Sequence, residues 1–396
     1  MKPLKYLFIS SMLFVATSCG NSWLDLEPST SVDTETSIKI LSDVEFTLNG
    51  IYSTMQSSDA YSGRLVYYGD VTGDDMQAVS STKRVANYYR FNFTKDDNPS
   101  SHWSYLYSII QNCNLILMNI DKLVIDEDDK AYRDDLKGEA LAIRGLALFD
   151  LTRIFGYPYL KDDGASLGVP IIEGLSTIDS KPTRNTVAQC YTKIIDDLTQ
   201  SLSLLGEKFN KGKINKWGAM VLLSRVYLYK GENANALKMA SDAIIGAEKN
   251  KYALWTNEDY PTAWGEDASA SKPGEVLFEI VNLTTDSPGK ESMGYLNSYD
   301  GYDDMCITCS FYQFLKEDPK DIRLKLLSFD KKYYAYVNKY QPQREENIED
   351  ANIPLIRLSE AYLNAAEAAV KENDNDAAVK YLDPIAVSYT HLRAHE

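Results

Sequence analysis

The sequence feature that most constrains the fold is a pair of adjacent helical patterns between residues 215 and 247. The first pattern, NKWGAMVLLSRVYLYKG, ends at Gly231, and a glycine just past the last helical residue is a common C-terminal signal. The second pattern places small side chains at Ala236, Ala240 and Ala243, which fall on one face of a helix. Small residues on a shared face let two antiparallel helices approach closely. This stretch therefore predicts a helical hairpin.

Several other segments carry the same signal. In the segment before Gly156, apolar residues recur on one helical face, and in residues 355–386 two helical patterns flank a polar turn. A further helix is expected from residue 187, with Thr183 or Asn185 as its cap. Such pairs resemble tetratricopeptide-type hairpins, whose stacking builds a superhelical scaffold. We predict a mainly α, tetratricopeptide-like fold with large irregular loop insertions and little β structure, and hairpins at about 102–156, 187–247 and 353–384.

Two regions interrupt the helical pattern, at about 60–100 and 251–350. Both are rich in glycine, aromatic or small polar residues and lack sustained periodicity, although EVLFEIVNL at 275–283 predicts a strand. Long ordered loops on a rigid scaffold commonly carry function. We expect these two loop-rich regions to hold the ligand site.

The N-terminus has the pattern of an export signal. Two lysines precede twelve predominantly apolar residues, and small residues then lead to Cys19. The apolar run is too short to span a bilayer, which takes about 20 residues. The stretch resembles a bacterial lipobox, in which the cysteine is acylated. We predict a signal peptide at 1–18 and a lipidated tether at 19–37, with an exported protein that carries a chance cysteine as the alternative.

Charge and composition limit the classes of partner. The 396 residues carry a formal charge of −16, and 44% of them are hydrophobic, which is typical of a globular protein. An acidic surface repels phosphate backbones, so nucleic-acid binding is disfavoured. Tyrosine is abundant, with 28 residues against 12 phenylalanines. Tyrosine combines an apolar face with a polar edge, which suits wet binding surfaces.

The sequence contains no recognisable catalytic or metal-binding motif. His102 is the only histidine outside the last six residues, and no G-x-S-x-G nucleophile motif accompanies it. Cys306 and Cys309 form a single CxxC, which is weak evidence for zinc, and we predict no metal site. The vicinal acids in GDDM (73–76) and YDDM (302–305) are expected to be solvated surface. Calcium binding by these acids is speculative, because neither segment has the EF-hand spacing.

Taken together, several stretches resemble the SusD/RagB family of outer-membrane glycan-binding lipoproteins of Bacteroidetes. The matching pieces, in order, are SCGNSWLDLEPST, GEALAIRGLALFDLTRIFGYPYL, GVPII, NKWGAMVLLSRVYLYKGENANAL and IPLIRLSEAYLNAAEA. The resemblance implies a tetratricopeptide-like scaffold over residues 38–387 at the cell surface. It also implies non-catalytic capture of oligosaccharide or polysaccharide, and a SusC-like TonB-dependent transporter as partner.

The C-terminus departs from the family pattern. The segment VSYTHLRAHE follows Ala386 and resembles translated sequencing-adapter read-through. We therefore predict a non-native tail at 388–396 and a C-terminally truncated chain, with a genuine short polar tail as the alternative.

Glycan binding requires aromatic rings for the apolar faces of sugars and polar side chains for the hydroxyl groups. Loop aromatics are better candidates than helical ones, which more often belong to the core. The candidate contacts are Trp264, Trp255, Tyr299, Tyr302, Tyr295, Tyr67, Tyr68, Tyr88, Asp75, Arg84 and Asn98. For each ring, packing or contact with the transporter is the alternative, and we expect Trp264→Ala to weaken glycan binding without unfolding the protein.

Three functions are compatible with the sequence. The leading hypothesis is a surface glycan-binding lipoprotein that works with a transporter. A lipid-anchored glycoside hydrolase is the second, because two carboxylates across a cleft suffice for that chemistry and the chain has 57 acidic residues. A tetratricopeptide-type scaffold for protein partners is the third.

Overall fold

The computed structural model describes residues 37–94, 100–177, 179–265, 273–332, 334–342 and 347–390. The predicted mainly α class is confirmed. The longer helices are α1 (Leu41–Met55), α2 (Arg64–Val71), α4 (Ser100–Asn119), α5 (Lys130–Phe155), α6 (Val187–Leu204), α7 (Lys216–Lys230), α8 (Asn233–Lys249), α11 (Leu358–Lys371) and α12 (Asn375–Thr390). Three short helices are α3 (Ala86–Tyr89), α9 (Met293–Leu296) and α10 (Cys309–Leu315).

The β structure consists of short strands. They are β1 (Met76–Ala78), β2 (Val276–Ile280), β3 (Met305–Ile307), β4 (Leu327–Phe329), β5 (Ala335–Val337) and β6 (Ile353–Arg357). Among the described residues they pair as three two-stranded antiparallel sheets, β1–β3, β2–β6 and β4–β5. The strand predicted within 275–283 is β2.

The long helices form a line in which each packs on the next. The contacts run from α1 to α4, α5, α6, α7 and α8, and then from α8 to α11 and α12. Residues 250–357 leave this line between α8 and α11, and α8 and α11 nevertheless pack directly on each other. The second loop-rich region is therefore an insertion on a continuous helical scaffold. None of the described helices is both long and apolar enough to cross a membrane.

Local signals explain where the helices begin and end. Gly231 follows α7 with a φ of +82°, a left-handed conformation that glycine adopts at little cost. The predicted cap of α6 was misplaced: Thr186 is the cap, and its hydroxyl accepts from the Gln189 amide at 3.2 Å. Asn185 instead accepts from the Ile171 amide at 3.0 Å, so it anchors the preceding loop.

Small residues bring the helices together as the alanine pattern predicts. Ala236, Ala240 and Ala243 are all fully buried. Gly246, also on α8, lies against the indole ring of Trp217 on α7, and an added Cβ there would be only 2.5 Å from the Cη2 atom of that ring. This close approach fixes how α7 packs against α8.

The core of the scaffold also contains paired polar groups. The Arg144 guanidinium donates to both carboxylate oxygens of Asp197, at 2.8 and 2.6 Å, and to the side-chain oxygen of Asn114 at 2.8 Å. Glu139 is 4% exposed and accepts from the Tyr52 hydroxyl at 2.6 Å. Burial raises the pKa of Glu139 to about 7, despite the nearby charge of Lys213.

Candidate functional site

The two loop-rich regions meet at the β1–β3 sheet. Met76 lies opposite Ile307 and Ala78 opposite Met305, and the Thr308 amide donates to the Asp75 carbonyl at 2.9 Å. Segments more than 200 residues apart in the chain are thereby held in one register. Part of the first region is more regular than its sequence predicts, since the apolar stripe of α2 packs into the core through Tyr67 and Val71.

A cavity of about 390 Å³ opens beside this sheet, and we call it the junction cavity. Its lining includes Asp70 and Asp75, from the corner between α2 and β1. Lys339 and Tyr340, which follow β5, and Phe311 of α10 also line it. The volume lies within the range of small-molecule sites, about 300–1,000 Å³.

The junction cavity contains charges of both signs. Burial raises the pKa of Asp70 to about 6, the cation of Lys339 partly offsets this rise, and Asp75 adds to it. Burial lowers the pKa of Lys339, and its ammonium lies 5.3 Å from the centre of the Trp264 ring. Arg323 also lines the cavity but is held by Asp321, with N–O distances of 3.0 and 3.1 Å from its Nε atom. Charged side chains of both signs therefore line the junction cavity together.

Aromatic rings extend from the cavity to the surface along α10. Phe311 lines the cavity and stacks with Phe314 at a centroid distance of 6.5 Å and an interplanar angle of 23°. Phe314 is 57% exposed. On the same helix Tyr312 meets the exposed Phe329 edge to face at 5.5 Å. These rings were absent from the candidates, although the aromatic density of CSFYQFL was a usable signal.

Three predicted tyrosines of the second region lie close together. Tyr295 and Tyr302 meet edge to face at 5.0 Å, and the Arg84 guanidinium lies 3.8 Å from the centre of the Tyr302 ring. Arg84 thus covers one face of the Tyr302 ring. Tyr299 is 47% exposed and packs beside Tyr336 at 5.8 Å, so it offers the most accessible ring of the three.

The acids of YDDM hold the two regions together, contrary to the expectation of a solvated surface. Arg84 pairs with Asp304 at 3.2 Å and with Glu291 at 3.4 Å, and Asp304 is 1% exposed. Lys83 pairs with Asp303 at 3.5 Å. The Tyr336 hydroxyl also donates to Asp303. These side chains act as cross-links because β1 and β3 bring basic and acidic segments together.

The tyrosines of the first region differ in exposure. Tyr67 is 1% exposed and belongs to the core, so its ring cannot stack on a sugar here and it leaves the candidate set. Tyr68 and Tyr88 are half-buried and meet edge to face at 5.4 Å. Phe93 packs on both rings and is 39% exposed.

The two predicted tryptophans are also buried. Trp255 and Trp264 are 7% and 6% exposed, and their rings meet at 4.9 Å in a small cluster with Tyr260. The Arg357 guanidinium lies 4.8 Å from the centre of the Trp264 ring. We therefore assign both tryptophans to packing. Trp264→Ala is expected to destabilise the insertion by about 3–5 kcal/mol, which replaces the expectation of an unperturbed fold.

The remaining predicted residues fall in two groups. Asp75 is exposed at the mouth of the junction cavity. Asn98 and Cys19 lie outside the described residues, as do the signal peptide and residues 391–396 of the predicted tail, whose residues 388–390 form the end of α12.

Few side chains suited to catalysis or metal binding occur in the described part of the chain. His102 is 1% exposed, its Nδ1 atom lies 3.1 Å from the Asp59 carbonyl oxygen, and burial lowers its pKa. No cluster of three or more histidine, cysteine or acidic side chains suited to a metal occurs among the described residues. Cys306 is buried in β3, whereas Cys309 is exposed at the start of α10. The backbone between them is extended, which places their Cα atoms roughly 10 Å apart, too far for a disulfide without movement.

Comparisons with known proteins give a consistent result. Residues 22–228 match the family described as "Starch-binding associating with outer membrane" (SusD-like), and residues 326–394 match the SusD family. A SusD-like protein P2 of Formosa agariphila is 28% identical over 311 residues, which cover 76% of this chain and 57% of that protein. The chain spans about half the length of the curated relatives it matches.

Some solved structures are closer in sequence than these relatives. A proposed sugar-binding protein from Bacteroides vulgatus is 81% identical with a TM-score of 0.88, over 90% of this chain and 80% of that one. A SusD superfamily protein from Bacteroides thetaiotaomicron is 36% identical with a TM-score of 0.83, over 89% of this chain and 81% of that one.

Proposed function

Because the chain belongs to the SusD-like family, we propose that it binds oligosaccharide or polysaccharide at the junction cavity without cleaving it. The observation that carries this proposal is the combination of a mixed-charge cavity with rings that lead outward through Phe311 and Phe314. Rings cover the apolar C–H faces of sugars, and the carboxylates, the ammonium group and amides of the cavity can bond hydroxyl groups. The description of the Bacteroides vulgatus protein supports the same class of ligand.

The cellular setting is part of the proposal. We propose that lipid on Cys19 anchors the protein in the outer membrane, and that it passes the glycan to a SusC-like TonB-dependent transporter. Support comes from the lipobox-like N-terminus and from the outer-membrane association in the description of the family. Radiolabelled palmitate should enter the wild-type protein and not Cys19→Ser, and the transporter should co-purify with the wild type from detergent-solubilised membranes. Equal labelling of both proteins refutes the anchor.

Affinity electrophoresis against starch, laminarin, xylan, mannan and pectin tests ligand binding. Retarded migration in one gel, with no reducing ends released into solution, is the expected result. Phe314→Ala should reduce the retardation, because its ring is 57% exposed beside the cavity. Phe46→Ala is the matched control, since Phe46 is 80% exposed on α1 of the helical scaffold. If the two substitutions reduce the retardation equally, the α10 rings do not belong to the ligand site.

One observation favours a second candidate function, glycoside hydrolysis. Asp70 and Asp75 line the same cavity, and a carboxyl group with a pKa of about 6 retains a proton close to neutral pH, as a general acid requires. Released reducing ends that disappear in Asp70→Asn would establish this function and overturn the non-catalytic proposal. Retention by a protein partner, with no affinity for any glycan of the panel, would instead favour a scaffold role.

A further inference from the structure

A second cavity of about 360 Å³ adjoins the junction cavity, and we call it the adjoining cavity. Asn297, Val337 and Tyr340 line both cavities, so the two are neighbours across these three residues. Ser298 and Gln341 are among the residues on the far side of the adjoining cavity. Each volume alone is enough for a small ligand.

Asn297, which lines both cavities, has an unpartnered buried oxygen. Its side chain is 3% exposed, and its Nδ2 atom donates to the Val337 carbonyl at 2.6 Å. Among the described residues, its Oδ1 atom has no hydrogen-bond partner. The bond to Val337 fixes the amide orientation, because the opposite orientation would place two oxygens against each other. No group of the described fold satisfies this acceptor, and buried acceptors without partners are rare in native proteins.

We propose that the two cavities form one groove for a glycan of at least two sugar units, and that Asn297 Oδ1 accepts a hydroxyl hydrogen at the crossing point. This inference rests on the proposed function, since it assumes a carbohydrate ligand. It adds a minimum ligand length and a specificity-determining residue. A sugar that lacks the bonded hydroxyl leaves the buried oxygen unpaired, so the groove discriminates against it.

The inference predicts how affinity depends on ligand length. A single sugar fills one cavity and binds weakly, whereas a chain that crosses Asn297 gains contacts in both cavities. The test is calorimetry with oligosaccharides of defined length, prepared from the polysaccharide that is retained in the affinity gel. The affinity should rise at least tenfold from one sugar unit to the chain that spans both cavities, and longer chains should bind no more tightly. An affinity that does not change with length refutes the joint groove.

The role of Asn297 is tested by Asn297→Leu, which keeps the approximate volume and removes the acceptor. Asn235→Leu is the matched control, because Asn235 is exposed on α8 and lines neither cavity. We expect Asn297→Leu to lower the affinity for the spanning oligosaccharide about 10- to 100-fold, and Asn235→Leu to change it less than about threefold. Equal effects of the two substitutions overturn the assignment.

Monodeoxy oligosaccharides titrated into the wild-type protein provide a readout that does not depend on how the variant folds. Removal of one particular hydroxyl group should lower the affinity of the wild type about as much as Asn297→Leu does. Removal of the same hydroxyl group should not lower the affinity of the Asn297→Leu variant any further. If every deoxy analogue binds the wild type as tightly as the parent, the Asn297 hydrogen bond is refuted while glycan binding stands. If the wild type binds no glycan of the panel, the proposed function itself fails.

Discussion

The contact between Gly246 and Trp217 yields a sharp prediction about the scaffold. Replacing glycine by alanine within a helix ordinarily stabilises a protein by about 0.5–1 kcal/mol, because alanine loses less backbone entropy on folding. At Gly246 the new Cβ would lie 2.5 Å from Cη2 and 2.6 Å from Cε3 of the Trp217 ring, far inside van der Waals contact. The ring has little room to move, since Trp217 is 6% exposed in the core.

The steric cost outweighs the gain from helix propensity. Forcing an extra carbon into a packed core costs about 1–3 kcal/mol, and the short distances to the Trp217 ring put Gly246→Ala at the upper end of that range. After subtraction of the propensity gain, Gly246→Ala should lower the free energy of unfolding by about 2 kcal/mol. Gly50→Ala is the matched control, because Gly50 is an exposed glycine inside α1 and a Cβ added there would have no atom within 4 Å. It should raise stability by about 0.5–1 kcal/mol.

Urea unfolding followed by far-ultraviolet circular dichroism measures both changes in the free energy of unfolding. Each change is taken from the shift of the transition midpoint at an unchanged dependence of free energy on urea concentration. The double variant Gly246→Ala/Trp217→Phe should recover part of the loss, because the smaller ring makes room for the methyl group. If the two glycine substitutions shift stability in the same direction, or if the smaller ring gives no recovery, the packing argument for α7 and α8 is wrong.

Three further predictions concern buried groups. The folded-state pKa of Glu139 is about 7 against an ordinary 4.5, so its stabilising contribution is complete below pH 4.5 and is lost as the pH rises through 7. The unfolding free energy of the wild type should fall by about 3 kcal/mol over that window, and Glu139→Gln should flatten the profile. Arg144→Met should cost about 3–5 kcal/mol in urea unfolding because it leaves Asp197 buried without its bidentate partner, and Asp197→Leu added to it should restore much of the loss. In a Cys19→Ser background, a thiol reagent should label Cys309 at once and the buried thiols only after denaturation; rapid labelling of more than one thiol contradicts the described burial.

The scaffold was largely predictable because its signals are local. Gly231 ends α7 and the alanines of α8 face a neighbour for reasons that lie within a few residues of each position. Helical periodicity reports which side of a helix is buried, whatever the rest of the chain does. The family motifs lie mainly in these helices, which is why they suffice to predict the mainly α class.

The candidate site was predictable only as a pair of regions. Nothing local distinguishes the buried rings of Trp255 and Trp264 from the exposed ring of Phe314, since all three lie outside the long helices. Their exposure depends on which distant segment packs on them. Aromatic residues in an irregular segment therefore indicate a candidate region, whereas the accessible rings within it are known only from the fold.

By itself, the sequence determined the helical hairpins, the two regions that interrupt them and the family. Only the tertiary structure decided that β1 pairs with β3, that the acids of YDDM cross-link the regions, and that Asn297, whose buried oxygen is unpaired, lines two cavities. The physical reason is the range of the interactions. Helices form from contacts three or four residues apart, whereas the cavity depends on contacts between residues more than 200 positions apart, and no short pattern encodes those.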